Sequence, residues 1–170
     1  MLITETGAGL ANAESYASVA AADARCASLG LIAWAALAES SKEIALRKAT
    51  LFMATYRTRW AGRRVYQRQA LDWPRYNVAV DGFTVPSTTV PVDVINACID
   101  LAVRAGNGED LLPDLDTGSN AIKKDKTGPL ETEYFQNTTD ARERFVAVDA
   151  LLVPYFGATG GGNSMKVTRA

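Results

Sequence analysis

The sequence predicts a mainly α-helical fold, a compact bundle of about four helices with one or two projecting β-hairpins and an extended C-terminal arm. Three observations carry that reading. Apolar residues recur at helical spacing in separate stretches. Asp81-Gly82 sits between alternating apolar residues, the pattern of a tight hairpin turn. Gly157-Ala-Thr-Gly-Gly-Gly-Asn163 has the composition of a flexible linker and precedes a short alternating segment.

After an extended lead-in, Ser15 or Ser18 can cap a helix, because a serine oxygen accepts from free first-turn amides. Val19, Ala22, Cys26 and Leu29 form its stripe, and Gly30 stops it. A short turn over residues 32–37 carries Trp34 as a core plug. Ser40-Ser41 then cap the longest helix, roughly residues 42–60, with Ala45, Ala49, Phe52, Tyr56 and Trp60 on one face and Leu46 and Met53 broadening it. Arg47 projects the other way.

Residues 62–75 lack periodicity, and a connection this long inside a domain is functional or packed over the surface. Val78, Val80, Phe83 and Val85 flank the Asp81-Gly82 turn. Pro91 opens the next helix, where a missing N–H costs nothing. Its buried stripe is Val94, Cys98, Leu101, Ala102 and Ala105; Asp100 and Arg104 are spaced for an i,i+4 pair, and Gly106 and Gly108 end it. Residues 121–126 and 130–135 flank Thr127-Gly128-Pro129 as a polar hairpin that projects towards solvent or a neighbour. The last helix starts near Thr139-Asp140, with Glu143 completing a capping box, buries Ala141, Phe145, Val148 and Leu152, and stops or kinks at Pro154. The domain reading is a helical body over 1–156 and a linker and arm over 157–170.

The chemical inventory argues against catalysis. The sequence has no histidine, which removes the commonest general base and metal ligand together. Its two cysteines, Cys26 and Cys98, lie far apart on helical stripes, so no zinc-type spacing exists and both are expected to be buried thiols. No Walker loop or Gly-x-Ser-x-Gly elbow occurs, and no helix follows Gly160-Gly161-Gly162 to hold a phosphate. Asp114 and Asp116 read as turn residues. No enzyme activity, cofactor or metal is expected. The N-terminus lacks a basic and then apolar leader, and no apolar run is long enough for a membrane span, so a cytoplasmic site of synthesis and no membrane partner are expected.

Charge is lopsided although the net value is −1. Residues 41–75 carry net +7, and residues 81–116 carry net −6. The basic block interleaves Arg57, Arg59, Arg63, Arg64 and Arg68 with Tyr56, Trp60, Tyr66 and Trp73. Cations for phosphates and rings for bases suit a sequence-tolerant single-strand binder, although Tyr56 and Trp60 also fall on the apolar face of the long helix. The same arginines, with Lys123, Lys124 and Lys126, are candidates for contact with nucleic acid or a neighbouring subunit. In a ring, the basic block of one copy could face the acidic block of the next. The arm residues Met165, Lys166, Val167, Thr168, Arg169 and Ala170 are candidates for docking by strand addition.

Six motifs occur in order: Ala11-Asn-Ala-Glu-Ser-Tyr16, Ala33-Trp-Ala-Ala-Leu37, Arg59-Trp-Ala-Gly-Arg63, Ala70-Leu-Asp-Trp-Pro-Arg75, Val90-Pro91 and Lys126-Thr-Gly-Pro-Leu-Glu131. Over roughly residues 10–156 the chain resembles the tailed-phage head-tail connector, or head-completion adaptor, family, whose members are also catalogued as DnaT-like single-stranded-DNA-binding proteins. The resemblance implies a helical adaptor in a homo-oligomeric ring of about twelve copies beneath the portal protein. It further implies an arm that reaches the portal, a tail-side connector or tail terminator as partner, and double-stranded DNA passing through the channel. It places the protein in the virion neck, assembled in the host bacterial cytoplasm. The alternative is a single-stranded-DNA-binding module that uses residues 56–75.

Overall fold

The computed structural model describes residues 1–112, 124–127, 130–133 and 145–157. Ser18 accepts the Ala21 amide at 3.1 Å and starts α1 (Val19–Ser28), and Gly30, at φ 70°, ends it. A short α2 (Ile32–Ala35) precedes α3 (Glu39–Met53), which tightens into a 3-10 turn at Ala54–Tyr56. Four short strands follow: β1 (Arg63–Arg64), β2 (Arg75–Tyr76), β3 (Ala79–Val80) and β4 (Phe83–Thr84). After α4 (Val92–Gly106) come β5 (Lys124–Thr127), β6 (Leu130–Glu133), α5 (Val146–Leu152) and a 3-10 turn at Val153–Tyr155. The fold is therefore mainly α with β-hairpins, as the periodicity predicts.

The helical body is built around α3 packed along α4, with α1 against α3 and α5 against α4. Leu46, Ala49, Phe52 and Met53 of α3 meet Val94, Cys98, Leu101 and Ala102 of α4 in one buried cluster, joined by Val148 and Leu152 of α5. Trp34 fills the corner below α1, 1% exposed, and its indole N–H donates to Asp23 at 2.7 Å. The lead-in is also fixed. The buried Glu5 carboxylate accepts the amides of Gly7, Gly9 and Leu10 at 2.8–2.9 Å, and Thr4 bridges Ser15.

The strands pair in three antiparallel two-stranded ladders among the described residues, β1–β2, β3–β4 and β5–β6. Asp81 and Gly82 have φ of 52° and 84° and join Val80 to Phe83, the type I′ geometry expected of this turn. The polar hairpin is present as β5 and β6, in register from Lys124↔Glu133 to Thr127↔Leu130, so that Thr127, read from the sequence as part of the turn, is the last residue of β5.

Several local expectations are corrected. The long helix begins at Glu39 behind Ala38, which makes no side-chain cap, so Ser40 and Ser41 lie inside it. It ends at Met53 rather than near Trp60: the chain turns away so that Trp60 can bridge Phe156 on the last turn, while Tyr56 and Trp60 stay buried. Leu29 is 55% exposed at the C-cap of α1, because the stripe ends one turn earlier at Cys26. Asp100 takes a bidentate bond from Arg25 at 3.0 Å, and Arg104 pairs with Glu109. A partner on α1 replaces the i,i+4 pair. The capping box at Asp140 and Glu143, Ala141, the acidic turn at Asp114 and Asp116, and the arm lie outside the described residues.

Leu101 is fully buried, so Leu101→Ala is expected to cost about 2–5 kcal/mol of unfolding free energy, measured by denaturant titration. Tyr155 donates to Asp93 at 2.8 Å; burial, then the bond to that carboxylate, pushes its phenol up to about 12 from an ordinary 10.0. The folded chain thus holds this proton more tightly than the unfolded one. The associated stability is full below pH 10 and falls as pH rises to about 12, and Tyr155→Phe is expected to flatten that fall in thermal melts.

Candidate nucleic-acid interface

Residues 57–76 have little regular structure, and buried polar side chains hold them in place. Arg75 is buried, and its guanidinium donates to the carbonyls of Ala61 at 2.6 Å, Gly62 at 2.8 Å and Asp72 at 3.1 Å. Burial lowers its pKa, and the Asp72 charge opposes that. Gln69 is buried too: its oxygen accepts the Tyr66 amide at 2.9 Å, and its amide donates to the carbonyls of Leu71 and Pro74. The Asp72 amide donates to the hydroxyl of Tyr16, a phenol whose pKa is raised by burial and then by the Asp72 carboxylate. Gly62, at φ 63°, lies against the Tyr76 carbonyl, where a Cβ would collide.

This scaffold decides which side chains face water. In the β1–β2 ladder, Arg63 is opposite Tyr76 and Arg64 is opposite Arg75. Directly opposed residues share a face. Arg75 points inward, so Arg63 and Tyr76 stand together on the outer face. Tyr76 is 37% exposed and Tyr66, on the intervening loop, 56%. Arg68 is also exposed.

The basic block is less open than its charge suggests. Lys42 pairs with Asp23, Arg47 with Glu14 and Glu43, and Arg57 with Asp72 at 3.0 Å. Arg59 lies 3.8 Å from Asp149 and packs over Phe156, 4.0 Å from the ring centre. Among the described residues, Lys48, Arg63, Arg64 and Arg68 have no carboxylate partner; Arg64 donates to the Gln69 carbonyl at 3.2 Å. Three of these four cations lie on one short stretch with Tyr66 and Tyr76.

The other rings are core. Trp73 meets Trp60 and Tyr155 edge-on, Trp60 meets Tyr56 and Phe156, and Tyr56 meets Phe52. Tyr56, Trp60 and Trp73 therefore cannot stack on a base. Of the residues singled out from the sequence, Arg63, Arg64 and Arg68 share this loop, Arg64 on the Arg75 side of the ladder and half-buried, whereas Arg57 and Arg59 are drawn into ion pairs. Lys124 and Lys126 lie on β5, and Lys123, Met165, Lys166, Val167, Thr168, Arg169 and Ala170 fall outside the described residues. Tyr76 was missed; its one legible signal was alternation after Arg75.

A cleft of about 310 Å³ lies beside this loop, between α3 and residues 70–72. Among the described residues, no three His, Cys, Asp or Glu side chains are grouped to hold a metal ion, and no helix is long and apolar enough to cross a membrane.

Over residues 1–170 the sequence matches the family described as "Putative DnaT-like ssDNA binding protein". No curated protein and no solved structure matches it. This match over the whole chain places the protein in the DnaT-like ssDNA binding protein family.

Proposed function

We propose that the chain binds single-stranded DNA without strict sequence preference through Arg63, Arg64, Arg68, Tyr66 and Tyr76. The observation that carries this reading is that one loop, with its backbone already fixed, bears cations without acidic partners among the described residues together with exposed tyrosine rings. Arginines neutralise phosphates and tyrosine rings accept stacked bases, each stack contributing about 1–3 kcal/mol. A braced loop loses little conformational entropy on binding. The family description supports the same reading.

Fluorescence anisotropy with a labelled single-stranded oligonucleotide tests it. Binding is expected to weaken steeply with salt, and Arg63→Ala/Arg64→Ala/Arg68→Ala is expected to make the log–log slope shallower by about two units, since each phosphate contact on a single strand adds ~0.7. A flat isotherm for the wild-type protein at low salt would sink the proposal.

A second reading is a head-to-tail adaptor subunit, in a ring of about twelve copies between portal and tail-side components of a phage virion, with double-stranded DNA in its channel. Its support is the resemblance together with one surface feature. Phe83, Val92 and Val153 are 79%, 68% and 58% exposed on neighbouring segments, since Tyr155 bonds Asp93 and β3, the partner of β4, contacts the last 3-10 turn. Exposed apolar clusters of this kind suit repeated protein contacts. Electron microscopy of the purified protein mixed with its phage's portal is expected to show a ring stacked on the portal; separate particles at micromolar concentration would remove this reading.

A further inference from the structure

The cleft between α3 and residues 70–72 is lined in part by Arg57, Ala70, Leu71 and Asp72, which belong to the same stretch of chain as the proposed strand-binding residues. Its walls include Leu51 and Ala54 of the α3 end and Leu71 of the loop, and Asp72 and Arg57 stand at one side. At about 310 Å³ it lies at the small end of ligand pockets, the size class of a single base with its sugar.

The Arg57–Asp72 pair is left half-used. Arg57 gives only its Nε to Asp72 Oδ1, and its side chain is 56% exposed. Among the described residues, its two terminal nitrogens have no acceptor. The Asp72 side chain is 2% exposed, yet Oδ2 receives no hydrogen bond from any described residue. That oxygen is not sealed from solvent, and its residue lines the cleft. Arg47, at the other side, is spent on Glu14, Glu43 and the Met1 carbonyl.

We propose that this cleft is a base-selective subsite that receives one unstacked nucleobase of the bound strand and prefers a base bearing an exocyclic amino group. The inference rests on the single-strand reading above. The apolar walls cover the faces of the base, Asp72 Oδ2 accepts an N–H from its amino group, and the terminal nitrogens of Arg57 hold the adjoining phosphate. Cytosine offers an amino donor at the ring position where uracil offers a carbonyl acceptor, and that carbonyl would face the carboxylate with like charge.

The experiment compares binding of (dC)12 and (dU)12, which have the same length and lack the thymine methyl, in wild-type protein, Asp72→Asn and Leu51→Trp. The wild type is expected to bind (dC)12 about tenfold more tightly. Asp72→Asn can keep an oxygen towards Arg57 and turn its amide donor into the cleft, so the preference is expected to vanish or invert. Leu51 is exposed on the cleft rim, so Leu51→Trp fills the cleft without disturbing the core; it is expected to abolish the preference while leaving (dU)12 affinity unchanged, with thermal melts confirming folding. Equal binding of the two oligonucleotides by the wild type, or a preference that survives Leu51→Trp, overturns the subsite and leaves the single-strand reading intact. Binding of neither oligonucleotide overturns both.

Discussion

A buried guanidinium organises the loop that carries the exposed arginines and tyrosines of this protein. Arg75 donates to carbonyls at both ends of the loop, Ala61 and Gly62 on one side and Asp72 on the other, and so closes a stretch with little regular hydrogen bonding of its own. Taking a guanidinium out of water costs several kcal/mol unless its donors are satisfied. Here three carbonyls and the nearby Asp72 charge offset that cost. The planar fork of arginine reaches divergent carbonyls at once, which the single ammonium of lysine cannot do. Gln69 repeats the device on a smaller scale by tying Tyr66, Leu71 and Pro74 together.

The aromatic residues serve the same end from below. Trp73 is buried within the loop and touches Trp60 and Tyr155, and through Tyr56 and Phe52 the contacts run into α3 and on to Phe145 before α5. Edge-to-face rings of this kind contribute packing and orientation as well as buried area. The loop is therefore anchored to two helices by rings that would otherwise have been candidates for stacking on bases. Tyr66 and Tyr76 remain outside because their backbone positions are fixed by Gln69 and by pairing with β1.

Charge follows the same division. The nominal +7 of residues 41–75 is mostly absorbed: four cations pair with carboxylates, and a fifth is the buried Arg75. What is left is a local patch rather than a basic face. In the acidic block, Asp100 is held by Arg25, Glu109 pairs with Arg104 of the same segment, and Asp93 accepts from Tyr155.

By itself the sequence determined the helical class, the stripes of α1, α3 and α4, the glycine stop at Gly30 and the type I′ turn at Asp81-Gly82. These features depend on residues a few positions apart, where periodicity and positive φ act locally. It also marked the arginine-rich segment as the region of interest. Only the tertiary structure decided which arginines are open, which rings are buried, and that Arg75 is scaffold while Arg63 is surface. Those outcomes depend on partners distant in sequence, such as Arg59 with Asp149 and Trp60 with Phe156, and no local pattern encodes such a pairing. The candidate interface was thus legible as a segment, but its composition was set by long-range burial, which withdraws some polar and aromatic groups and leaves the rest to solvent.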